Sequence, residues 1–227
     1  MSVIIPQDLA IESSTQKVPL GTRHESFNGK VYRYCKANEA LDAGAILTMV
    51  NIADGDADAS VGAVLNDAAV TFTAETVGAL VKINAGTKGI DDVPNRVLSQ
   101  TDNQLVLETA WSADLTTSED YVVYKPFLVE ECDAADERIY GVTNIDVTSG
   151  NFFWMQIQGH VDAVLVAGDT DAIVQYEGIV SSAAAGVAKG LTAAATTVDE
   201  AEKANIIALV PTALAAQSIP AILNCMG

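Results

Sequence analysis

Basic residues are scarce in this chain: 12 Lys and Arg stand against 30 Asp and Glu, a formal net charge of −18. A body this acidic repels nucleic acid and anionic membrane surfaces, so neither is an expected partner. Long hydrophobic runs are missing too. The most apolar stretch, 204–226, is broken by Pro211, Gln217, Ser218, Pro220 and Asn224, whereas a membrane-spanning helix wants about 20 predominantly apolar residues. The opening MSVIIPQDLA has no basic flank and only a short apolar cluster. No secretory signal is read there, and the protein is expected to be soluble and to stay where it is made. The three cysteines, Cys35, Cys132 and Cys225, lie far apart, with no C-x-x-C pair and no His nearby. That spacing excludes a standard zinc site and predicts buried thiols in a reducing compartment. Aromatic residues make up 6% of the chain and do not interleave with bases, which argues against stacking on single-stranded nucleic acid.

The charge is unevenly placed. Residues 1–36 hold five bases (Lys17, Arg23, Lys30, Arg33, Lys36) and three acids (Asp8, Glu12, Glu25), a net of +2, so the remainder carries −20. Contact with something acidic and ordinary sampling both account for this segment. Residues 1–29 place short apolar clusters, Val3–Ile5 and Leu9–Ile11, among polar residues and two prolines, with no sustained period. They read as an extended N-terminal arm that packs on something, a neighbouring subunit being one candidate. Val3, Ile4, Ile5, Leu9 and Ile11 are its expected contact residues.

From Lys30 onward the pattern is that of strands. The clearest run begins at Phe153, where every second residue is apolar or Gly: Phe153, Met155, Ile157, Gly159, Val161, Ala163, Leu165. Period 2 over this length predicts a strand with that face in a core. Its other face is mixed, and Trp154, Gln156 and Gln158 are expected to be available as a subunit contact. Shorter strands are expected at 31–35, 45–51, 60–65, 70–72, 79–83, 96–99, 105–108, 121–124, 173–176, 178–180, 206–210 and 219–224. Turn formers separate them, and Pro94 and Pro126 limit the neighbouring strands. Short strands at this spacing mean a sandwich or barrel. The Ala-rich stretch 181–197 reads as a surface loop or weak helix, and Thr197-Val198-Asp199-Glu200 has the spacing of a helix capping box. The expected class is therefore all-β with minor α. An arm, 1–29, precedes a body, 30–227, in which 71–130 is a candidate inserted lobe.

Residues suited to chemistry are few. Asp54-Gly55-Asp56-Ala57-Asp58 suggests a calcium loop, but the EF-hand Gly and Glu positions hold Ala59 and Leu65. A solvated acidic loop between strands is the expected reading. His160 and Asp162 share one side of the long strand, yet no G-x-S-x-G elbow supplies a nucleophile. The pairs Glu130-Glu131 and Asp136-Glu137 mimic glycosidase carboxylates in a chain where acids abound. Trp111 and Trp154 offer a sugar-binding platform, with core packing as the alternative. No catalytic residue, cofactor or metal is expected.

Three segments carry a likeness to a known family: GKVYRYCKANEALDAGAIL (29–47), RIYGVTNIDVTSGNFFWMQIQGHVDAVL (138–165) and VDEAEKANIIALVPTALAAQSIPAILN (198–224). With the middle stretch 95–126, which has the look of phage structural modules generally, they cover about half the chain. In them the chain resembles the small capsid decoration (cement) proteins of tailed bacteriophages and related phage head proteins. The resemblance implies a β-barrel or β-tulip-like body and homo-oligomers, commonly trimers. It also implies binding to the major capsid protein on the outside of an icosahedral shell, after synthesis in the host cytoplasm. The alternatives are another virion β-protein (tail, connector or baseplate) and a glycan-binding β module.

Overall fold

The alternating pattern becomes strands throughout the computed structural model, which describes residues 9–83, 94–111, 114–115, 119–133, 138–166, 178–182, 184–190, 206–209 and 217–225. In chain order the strands are β1 (Arg23–Glu25), β2 (Val31–Ala37), β3 (Ile46–Ala57), β4 (Val64–Asn66), β5 (Leu80–Ile83), β6 (Asn95–Thr101) and β7 (Gln104–Leu107). Then follow β8 (Glu119–Glu131), β9 (Gly141–Val142), β10 (Phe152–Val166), β11 (Gly178–Ser181), β12 (Ala188–Gly190), β13 (Ile206–Ala208) and β14 (Gln217–Asn224). No helix of seven residues or more occurs among the described residues, and none is long and apolar enough to cross a membrane. The fold is mostly β, as expected.

Two compact units emerge: Met1–Thr48 with Phe127–Gly227, and Met49–Pro126. The chain leaves the first unit within β3 and returns within β8. The expected lobe spans 71–130; the compact second unit begins earlier, at Met49.

In the first unit, β10 is the shared wall of two rings of strands. One runs from β10 through β14, β13, β11 and β12 and back to β10, where Val166 pairs with Ala188. The other runs from β10 through β9, β3, β8 and β2 back to β10. The Cys132 N–H, donating to the Ile46 carbonyl at 3.1 Å, ties the end of β8 to the start of β3. The core inside includes Phe153, Met155, Ile157, Ile46, Leu47, Val142, Ile179 and Leu223, all buried. The thiols Cys35, Cys132 and Cys225 are buried there as well, and burial pushes Cys35 and Cys225 up to about 12.

The expected inward face of β10 is right as far as Val161 and then changes phase. A register shift against β14 between Val161 and Val164 turns Val164 and Val166 into the core and leaves Ala163 and Leu165 half-buried. An inserted residue reverses which side chains point inward. Gly159 lies near a second shift, against β2, with φ +94; a Cβ there would stand 3.1 Å from the Gly29 carbonyl oxygen and 3.2 Å from Lys30 Cα. Glycine thus lets β10 pass close under the β1–β2 turn.

The second unit stacks β8, β5, β6, β7 and β4 as antiparallel neighbours. Its core holds Leu65, Phe72, Val81, Ile83, Val97, Leu105, Leu107, Trp111, Tyr121 and Val123. Three sequence expectations change. The acidic run is not a loop: β3 continues through Asp54 and Asp56, which are exposed, while Ala57 on the alternate face is buried. β8 runs through Pro126, which falls between the ladder to β5, ending at Tyr124, and that to β2, starting at Leu128. The expected strand at 70–72 is absent, although Phe72 is core. In the first unit, the Ala-rich stretch contains β12. The expected strand 173–176 and capping-box helix lie outside the described residues.

Candidate functional site

The mixed face of β10 is where the sequence placed a contact surface, and the chain's own N-terminal segment lies on it. β2 pairs antiparallel with β10, setting Tyr34 opposite Trp154 and Tyr32 opposite Gln156. The Tyr34 ring meets Trp154 at 5.0 Å between centroids and stacks on Phe152 at 6.1 Å and 11°. His24, from β1, meets Trp154 edge-on at 5.9 Å. Leu9, Val18 and Leu20 cover this cluster.

Backbone hydrogen bonds pin the covering segment. Ser13 and Phe152 exchange a pair of them at 2.9 and 2.8 Å, and Gly21 N–H donates to the Tyr34 carbonyl at 2.8 Å. Lys17 N–H donates to the Tyr34 hydroxyl at 3.1 Å. The Glu12 carboxylate accepts from Thr148 N–H at 2.5 Å and from its hydroxyl at 2.9 Å. The backbone N–H holds the Glu12 carboxyl below its ordinary range. Gly21, at φ +79, lies against the Phe127 ring so closely that a Cβ would collide with it.

The expected contact residues separate accordingly. Val3, Ile4 and Ile5 lie outside the described residues. Leu9 is half-buried and Ile11 is exposed. Trp154 is buried beneath the segment, and no partner reaches it while that segment is in place. Gln156 is wholly buried: it accepts from Asn144 Nδ2 at 3.0 Å and donates to the carbonyls of Gln158 and His160 at 3.2 and 2.9 Å. These bonds answer backbone carbonyls beside the β10–β2 register shift, a structural task. Gln158 is half-buried.

Beside this seat a cleft of about 650 Å³ opens within the first unit. His24, the β1–β2 turn with Phe27, Lys30, Tyr32, Asn144 and Asp162 are among the residues that line it, with the small residues Ala43, Gly44 and Ala163 and with Leu9 and Ala10. At its mouth Asp162 pairs with Lys30 at 3.4 Å and with His160 at 3.3 Å. Burial, then the Asp162 charge, raise the Tyr32 hydroxyl. The sequence flagged His160 and Asp162 but not Lys30, Tyr32 or Phe27; the hairpin that joins them to β10 links positions too far apart in the chain for spacing to reveal.

The other candidates resolve into structure. Trp111 is buried and its indole N–H donates to the Val64 carbonyl at 3.1 Å, so neither tryptophan forms an exposed sugar platform. Asn38 Nδ2 donates to Glu130 at 3.0 Å, and Asp42 N–H donates to Glu131 at 2.8 Å. Adjacent strand residues face opposite ways, so this pair does not converge on one substrate; Asp136 and Glu137 lie outside the described residues. Among the described residues no group of three or more His, Cys, Asp and Glu is placed to hold a metal ion. In the second unit the Tyr121 hydroxyl donates to Asp67 at 2.8 Å. A hydrogen bond and the charge of Asp120 raise the Asp56 carboxyl.

No family model, no curated protein and no solved structure matches the chain.

Proposed function

We propose that this chain is a non-enzymatic structural protein of a tailed-bacteriophage virion, a decoration protein that binds the outer surface of an icosahedral capsid and stabilises it. Its partners on this reading are the major capsid protein and further copies of itself in a homotrimer. The observation that carries it is the likeness of segments 29–47 and 138–165 to phage head proteins, because these segments supply β2, the turn into β3, and β10, the wall on which the first unit is built. One of the acid pairs that the sequence singled out supports it in a second way: Glu130 and Glu131 accept hydrogen bonds from Asn38 and from the Asp42 N–H and face opposite ways. High negative charge favours a component that stays dispersed until it meets its shell.

Purified protein should cosediment with expanded empty shells and raise their melting temperature. Absence of both effects, or a label on the tail in electron micrographs of particles, overturns the reading. Deleting residues 1–8 tests the arm. That deletion leaves Ser13, Glu12 and Lys17 in the chain, a circular dichroism spectrum like that of wild type checks the fold, and shell binding is expected to fall. Undiminished binding removes the arm from the proposal.

A further inference from the structure

Phe27 is 96% exposed at the tip of the β1–β2 hairpin, on the rim of the cleft. The tip is a pinned turn: Ser26 N–H donates to the Lys30 carbonyl at 2.9 Å and Gly29 N–H to the Ser26 carbonyl at 3.0 Å. Lys30 N–H also donates to the Asn28 side-chain oxygen at 3.3 Å. The turn therefore presents a whole aromatic ring to water from a pinned backbone, where most phenylalanines are covered. The cleft brings both signs together on a chain carrying −18. Asp162 stands 3.4 Å from Lys30 and 3.3 Å from His160, and Glu25, also on the lining, stands 3.3 Å from Arg23 outside it. A charged ligand would compete with one of these pairs for its partner. A neutral ligand with hydroxyls can bridge carboxylate and ammonium together while an apolar face rests on the ring. Small residues, Ala43, Gly44 and Ala163, leave the space, and the cleft volume is in the range of small-molecule sites.

We propose that this cleft binds a neutral saccharide, with a sugar C–H face on Phe27 and sugar hydroxyls on Asp162 and Lys30. The site is distinct from the two tryptophans that the sequence suggested, and it is independent of capsid binding.

The test is an array of neutral oligosaccharides with sialylated and sulfated counterparts, followed by calorimetric titration of the strongest neutral binder. The wild-type chain should retain neutral glycans in preference to charged ones. Phe27→Ala should weaken binding by about tenfold or more, the scale of a lost aromatic contact, and Asp162→Asn should weaken it as well. Both side chains are exposed, so both variants are expected to keep the wild-type circular dichroism spectrum. No binding at millimolar saccharide, a preference for charged glycans, or binding that Phe27→Ala leaves unchanged overturns the proposal. So does a wild-type chain that sediments as an oligomer through Phe27 and takes up no saccharide. Shells play no part in this assay, so its failure leaves the capsid reading to its own test.

Discussion

Gln156 shows how a polar residue on a strand can serve the fold alone. Its side chain makes three hydrogen bonds inside the first unit and has no exposed surface. Replacing it with Leu keeps the bulk but removes the side-chain donor to the carbonyls of Gln158 and His160, while the exposed Asn144 amide turns to water. Unsatisfied buried groups cost about 1–3 kcal/mol each, so Gln156→Leu should lower unfolding stability by roughly 2 kcal/mol or more. Urea denaturation checks this; an unchanged midpoint would mean the carbonyls find other donors. In the sequence, Gln156 was indistinguishable from a surface residue because its partners follow from a register shift and from a loop residue, Asn144, neither of which leaves a local pattern.

At the scale of elements, the strand at 31–35 and the alternation in β10 were plain, since Phe153–Val161 follows one unbroken period. What escaped reading was the point at which the period breaks, near Ala163, and the identity of whatever covers the second face. A mixed face with Trp154 looks the same whether another subunit or the chain's own residues 9–20 lie on it. β3 was misread for a different reason: the run of acids was read as a solvated loop, although Asp54 and Asp56 alternate with Gly55 and Ala57 as a half-exposed strand requires. The covering segment itself titrates. Glu12 has a folded-state pKa below its unfolded value, so its contribution is complete above the ordinary glutamate range, about 4.3, and is lost as pH falls through the lower folded value. Glu12→Gln should therefore be less stable than wild type at neutral pH, with the difference shrinking as acid is added. Paired denaturation curves from pH 7 to pH 3 measure this, and a constant difference would refute it.

For the whole molecule, charge dominates behaviour in solution. With a sequence pI of about 4.2, mutual repulsion fades near that pH, and solubility should pass through a minimum there. Turbidity against pH at fixed protein concentration gives the answer; a flat profile would show that the charges do not keep the copies apart. The acid series on Glu12 is accordingly best run dilute. The two rings that share β10 also impose a timetable. The first half of β10 pairs with β2 and β9, both made before it, while Gln158–Val166 waits for β14, which follows only after β11, β12 and β13. A nascent chain therefore holds β10 with one flank unmet through much of its synthesis. Such an open edge is an invitation to wrong partners, and slow translation of the segment between β10 and β14 would be paid in aggregates.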